Sequence, residues 1–217
     1  MKTAISIRMA HQLYWLGRYL QRSETTIREV LRSYDYVIDR DKEDGKKLYA
    51  KLGIDLHYTH AKDFLYQALY GTHPASILAM IGSARENGIE IRNLLDERGF
   101  GALNGLYNRI KENQTSELTP FFLEEILDTI RLLLGTFFSD LYRPKSYHFI
   151  RLGQIVERMD LVLRLFGEME MIMLDVVQLN TIIRKLHKEA PELHIRYSDT
   201  QRALREINEV IEGVIAR

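Results

Sequence analysis

Apolar residues recur three or four positions apart along most of this chain. Leu13, Leu16, Leu20, Ile27, Leu31, Tyr34 and Ile38 keep that spacing, with Ser23 filling the one wide gap, and they predict a long first helix. The charged run "DRDKEDGKK" from Asp39 to Lys47 ends it. Short helices follow over about Lys46 to Leu52 and His60 to Leu69. "GTHPASI" marks another start, with Pro74 in the first turn, where a missing N–H costs nothing, and that helix is expected to reach about Glu97. "RGFGALNG" reads as an interruption, followed by a helix over about Ala102 to Glu112. Thr119 and Pro120 then read as cap and first residue of a helix reaching Leu141, with the apolar stripe Phe122, Ile126, Ile130, Leu133 and Phe137. A long helix over about Ser146 to Leu186, bent near Gly167, is followed by a last one reaching Val214, which Ser198 and Gln201 open as a capping box.

All four prolines fall in breaks or first turns, and no stretch shows the two-residue alternation of a strand. The expectation is all-α: one domain over residues 1–217, a bundle of long helices whose short connections make neighbours antiparallel.

Two of the long stretches carry the same polar pattern. "LGRYLQRSETTIR" (Leu16 to Arg28) and "LGQIVERMDLVLR" (Leu152 to Arg164) both open Leu-Gly, place Arg seventh and an acid ninth, and close on Arg. At about 100° per residue, the apolar stripe Leu16, Leu20, Ser23, Ile27 matches Leu152, Val156, Met159, Leu163. One step round lie Gly17, Gln21, Glu24 and Arg28, matched by Gly153, Glu157, Asp160 and Arg164. Glycine inside a helix costs about 1 kcal/mol against alanine, so two of them at one place in the pattern predict close packing of the two helices about a pseudo-two-fold axis. Glu24–Arg28 and Asp160–Arg164 are i,i+4 pairs in the favourable order; facing each other, their four charges would form one network. Arg22 and Arg158 lie about 200° from the acids of their own helices, which leaves them as bidentate clamps for a carboxylate or phosphate. A third stretch, "SARENGIEIR", repeats the association of arginine, acid and glycine in Arg85, Glu86, Asn87 and Gly88.

The candidate acids are therefore Glu24, Glu86 and Asp160, expected to be largely buried against arginines. The candidate ligand-binding residues are Arg18, Arg22, Arg28, Arg85, Asn87, Arg158 and Arg164. Tyr14, Trp15 and Tyr19 beside Arg18 and Arg22 read either as helix-packing aromatics or as the wall of a cleft.

Composition removes alternatives. Lys plus Arg and Asp plus Glu are 30 each, with formal net charge zero, so the basic excess of a nucleic-acid binder is missing. With no cysteine there is no disulfide, thiolate metal site or cysteine nucleophile. The seven histidines have no Glu-x-x-His framework around them, and no Gly-rich phosphate loop or serine nucleophile motif occurs. No cofactor and no metal are expected. The N-terminal stretch lacks the apolar core and cleavage site of a secretory signal, and the run from Leu132 to Phe138 is too short to span a membrane. The chain reads as soluble and cytoplasmic.

"MAHQLYWLGRYLQRSETTIR", "HPASILAMIGSARENGIEIR" and "YHFIRLGQIVERMDLVLRL", in that order and at these separations, resemble the three signature stretches of the bacterial alpha-E domain family, over about Ile5 to Phe166. Two departures stand out: Gln21-Arg22-Ser23-Glu24 where the family usually shows Glu-Arg-Ala-Glu, and Met159 where it shows Ala. Residues 167–217 read as a shortened, divergent C-terminal portion. The resemblance implies an all-helical protein found with an ATP-grasp ligase-like protein and a transglutaminase-like protein, in peptide-forming or peptide-tagging chemistry. It implies an accessory or scaffold role. The alternative is an enzyme of amide chemistry with Glu24 or Asp160 as base, and a peptide or carboxylate is the ligand either would meet.

Overall fold

In this computed structural model, residues 5–95, 97–115, 117–138, 144–195 and 199–216 are described. Among them the chain forms α1 (Ile7–Asp39), α2 (Asp44–Lys51), α3 (Ala61–Tyr70), α4 (Ile77–Glu90), α5 (Glu97–Glu112), α6 (Pro120–Phe138), α7 (Pro144–Phe166), α8 (Met173–Leu186) and α9 (Thr200–Ile215). Short 3₁₀ turns lie at Arg92–Leu94, Asn113–Thr115 and Met169–Ile172. No strand occurs among the described residues. No helix among them is long and apolar enough to cross a membrane.

α1 is the centre of the bundle, packed against α4, α6 and α7. Its middle is buried on every side: Ser23, Glu24, Thr25, Thr26 and Ile27 are buried in succession. A helix enclosed this way cannot turn its polar residues to water, so each must find a partner inside the protein. The apolar stripe read from the sequence holds until Ile27 and then drifts. Val30, Ser33 and Val37 take the inner face, whereas Ile38 is 54 % exposed. A helix of 3.6 residues per turn rotates away from a fixed apolar line over this length.

Direction follows from contacts along the helices. Arg8 at the start of α1 pairs with Glu90 at the end of α4, so these two run antiparallel. Gly88 faces Phe100 and Leu103, and Gly82 faces Tyr107, so α4 and α5 also run antiparallel. So do α5 and α6, where Gly99 meets Phe137 and Arg109 meets Glu125, and α7 and α8, where Arg158 meets Asp175 and Arg151 meets Gln178. α1 and α7 differ. Tyr14 lies against Gly153, Arg18 against Glu157, and Glu29 shares a cleft with Leu165. These two central helices, remote in sequence, run parallel, while helices joined by short connections keep the antiparallel arrangement.

Three boundaries differ from the sequence reading. Pro74 sits in a turn, and α4 begins after Ser76 and stops at Glu90. "RGFGALNG" lies inside α5, because Gly99, Leu103, Leu106 and Ile110 supply a buried helical stripe that outweighs three glycines. The expected bend near Gly167 is a break: Gly167 has φ +73°, a conformation glycine adopts without strain, and a 3₁₀ turn intervenes before α8. The far end of α6 at Leu141 and the cap residue Ser198 lie outside the described residues. Asp199 caps α9, accepting from the backbone N–H of Gln201 and Arg202.

Candidate functional site

The two repeated stretches become the crossing of α1 and α7, and glycine sets their distance. A Cβ on Gly17 would collide with the carbonyl oxygen of Ile150 and lie 2.9 Å from its carbonyl carbon. A Cβ on Gly153 would collide with the carbonyl oxygen of Tyr14 and lie 3.0 Å from the amide nitrogen of Arg18. Each glycine thus sits under the carbonyl three residues before the other. The contact is reciprocal and backbone to backbone, which only the absence of a side chain permits.

One turn further on, Glu157 enters the space between the helices with none of its side chain exposed. Arg18 Nε donates to its Oε2 at 2.5 Å. Arg22 Nε donates to Oε1, and Arg22 Nη2 to Oε2 at 3.1 Å. One carboxylate is therefore held by two guanidinium groups from the facing helix, the arrangement a buried charge requires. Burial works against the charge on Arg18, but Glu157, Tyr14 and Asp160 together outweigh it and hold Arg18 above the usual arginine range. Arg18 also lies 5.0 Å over the Trp15 ring and 5.7 Å from that of Tyr14. Its Nη1 donates to the Tyr14 hydroxyl at 3.3 Å, while burial pushes that hydroxyl up to about 12. Arg22 rests 5.9 Å from the Tyr19 ring. The aromatic residues of "LYWLGRY" are thus the packing around the arginines.

Asp160, also buried, accepts from Arg164 Nε at 2.9 Å and lies 3.6 Å from Arg18. Glu24 is buried on another side of α1, accepting from Gln21 at 3.1 Å and Thr25 at 3.4 Å. Its arginines, Arg28 and Arg131 of α6, stand at 3.8 Å. Glu24–Arg28 and Asp160–Arg164 do not join as the single four-charge network anticipated. Asp160 reaches Arg18 across the crossing, but the residue matching Arg18 on α7 is Gln154, a neutral amide.

Glu86 requires a correction. Its side chain is 70 % exposed and meets Arg85 at 2.7 Å. Arg85 also donates to Asn104 of α5 at 2.7 Å and stacks over Tyr107, and Asn87 donates to the Ser83 carbonyl of its own helix. The third stretch lies away from the crossing because Ile77, Met80, Ile81 and Ala84 are the inward line of α4, which leaves Arg85 and Glu86 towards α5 and solvent. Arg22 and Arg158, read as clamps pointing away from acids, each engage an acid of a different helix. Arg158 holds Asp175 of α8 through Nε at 2.9 Å and through Nη2. Glu157 and Asp175 were missed as partners. The Glu157-Arg158 pair was visible as part of a repeat, but nothing in the spacing says that a neighbour's arginine will take the acid.

Beside this network a cleft of about 230 Å³ opens between α1 and α7, lined by Arg22, Thr26, Asp160 and Arg164 among others. A wider groove of about 980 Å³ lies between α4 and α5, with Arg85, Arg92 and Asn104 on its walls. Among the described residues no group of three or more His, Asp or Glu is arranged to hold a metal ion.

No curated protein and no solved structure matches the chain at a significant level. A family model does match, over residues 5–187, and so runs through α8 as well as the three signature stretches. Its description is a predicted alpha-helical domain with a conserved ER motif, and Glu157-Arg158 stands in α7 as such a pair, at the heart of the crossing. Both the pattern of the sequence and this match carry the same conclusion: the chain belongs to the Alpha-E family.

Proposed function

We propose that this protein is an accessory or scaffold component of a cytoplasmic peptide-ligase or peptide-tagging assembly, acting beside an ATP-grasp ligase-like protein and a transglutaminase-like protein. One observation carries the non-catalytic half of this reading. The acids at the crossing are engaged from within the chain, and Glu157, at its centre, is fully enclosed between Arg18 and Arg22. A general base needs a free lone pair within reach of the proton it removes. Glu157 is out of reach, since none of its side chain is exposed and approach would break a buried ion pair, and Glu24 is buried with Gln21, Thr25, Arg28 and Arg131 around it. Such a network rigidifies two helices. The class of partner rests on the family resemblance of the three signature stretches.

A second reading has one observation in its favour: Asp160 lines the cleft, with Arg22 and Arg164 around it. An enzyme of amide chemistry would use Asp160 as base there and the arginines to hold a carboxylate. An assay of amide formation, run with the purified chain alone and with an ATP-grasp partner recovered by copurification, separates the two. Turnover that appears only with the partner and persists in Asp160→Asn supports the accessory role. Turnover by the chain alone that Asp160→Asn abolishes makes it an enzyme.

A further inference from the structure

We propose that the cleft beside the crossing binds the carboxylate end of a peptide or acylated amino acid with a small apolar side chain. Its volume of about 230 Å³ lies below the ~300–1,000 Å³ of pockets that enclose drug-sized ligands. It therefore takes an end group and a few carbons, with the rest of the chain outside.

The walls differ in character. Arg22 and Thr26 of α1 and Asp160 and Arg164 of α7 form a polar side, while Leu52, Ala75 and Leu161 form an apolar one. A guanidinium has five N–H donors. Arg22 directs two of them to Glu157 and Arg164 one to Asp160, leaving three and four with no other acceptor among the described residues. Both forks are thus fixed in place by an acid and still able to donate, which is the preorganisation that bidentate recognition of an oxyanion needs.

Charge selects the oxyanion. Arg18, Arg22 and Arg164 bring three positive charges to two acids, Glu157 and Asp160, so the group has one positive charge in excess. A carboxylate balances it. A phosphate dianion would leave a surplus negative charge beside Asp160, and a free phosphate would leave the apolar wall uncovered. Arg158 takes no part, because it turns to Asp175 of α8 and does not line the cleft.

This assignment stands apart from the accessory role; either can fail while the other survives. The test is calorimetric titration of N-acetylvaline, its amide and inorganic phosphate into the full chain at low ionic strength. The acid should bind, with the amide about tenfold or more weaker and phosphate weaker than the acid. Arg164→Gln changes a side chain that is 48 % exposed, and should weaken the acid about tenfold. Ala75→Met fills the cleft without altering charge and should abolish binding, with cooperative melting of both variants as the check on folding. An amide that binds as well as the acid, phosphate binding more tightly than the acid, or wild-type affinity in both variants would each overturn the proposal.

Discussion

The α1 side and the α7 side of the crossing share a backbone but not a charge pattern. Gly17 and Gly153 make the same contact in both directions. The matching positions are 136 residues apart (153 − 17), so Arg18 corresponds to Gln154 and Gln21 to Glu157. The contact Arg18–Glu157 therefore has, as its equivalent on the other side, Gln154 and Gln21, two amides. Each amide turns to its own helix: Gln21 donates to Glu24 and Thr25, and Gln154 accepts from Arg151 at 3.3 Å. Among the described residues the buried Nε2 of Gln154 has no hydrogen-bond partner. Close approach constrains both helices equally, because a collision is felt from either side. A buried ion pair is needed only once, and a second would add a second desolvation cost. Geometry is conserved across the crossing and electrostatics is not.

The sharpest way to break this comparison is to remove the charge from one side. Glu157→Ala strands Arg18 and should lower unfolding free energy by about 3–5 kcal/mol, measured by denaturant titration. Combining Glu157→Gln with Arg18→Gln puts the amides of the α1–α7 counterparts on both sides. That double variant should recover most of the loss seen in Glu157→Gln alone, since Arg22 is 30 % exposed and can turn to water. Equal stability of single and double variants would mean that the ion pair is not coupled.

The backbone half of the comparison is tested by Gly17→Ala and Gly153→Ala. Overpacking typically costs about 1–3 kcal/mol, against a gain of about 1 kcal/mol from helix propensity. Both variants should be destabilised, and by similar amounts because the contact is reciprocal. Gly105→Ala is the control: a Cβ there meets nothing within 4 Å, so propensity alone acts and stability should rise by about 0.5–1 kcal/mol. A destabilised Gly105→Ala would remove the reason for treating the crossing glycines as special.

The smallest effect lies at the start of α7. Burial first, and then the charge of Lys185, lower the His148 pKa below its usual 6.5. A depressed pKa contributes stability above the unfolded value and loses it as pH falls. The melting temperature should therefore decline from about pH 6.5 downwards, and His148→Gln should flatten that slope. An unchanged slope assigns the acid sensitivity to other groups.

How much of this was legible in sequence depends on whether a contact is local. Pro120 opens α6 as read, because that signal acts within a few residues, whereas Gly167, read as a bend within one helix, ends α7. The two mid-helix glycines predicted the packing of α1 on α7, since a glycine there has a known cost and needs a reason. The partners of Arg22 and Arg158 were not legible: Glu157 comes from the opposite helix and Asp175 from a helix beyond the Gly167 break. Glu86 was misread because its neighbours resemble the crossing motif, while the buried line of α4 decides its orientation. Three glycines in α5 pointed to a loop, and a buried stripe overrode them.

The separation of α1 and α7 along the chain also bears on how the protein is made. Arg18 and Glu157 are 139 residues apart, so the central contact closes a very long loop, and such contacts form late. The neighbouring antiparallel hairpins of α4, α5 and α6 close short loops and have no need to wait. During synthesis α1 emerges before α7, and at about 5–20 residues per second its buried arginines stay unmatched for roughly 7–28 s until Glu157 follows. A nascent chain stopped before α7 holds a helix whose polar middle is complete in sequence and has no counterpart in space. The glycine-to-carbonyl contact of α7 on α1 is thus one that the chain can make only after α2 to α6 have been made.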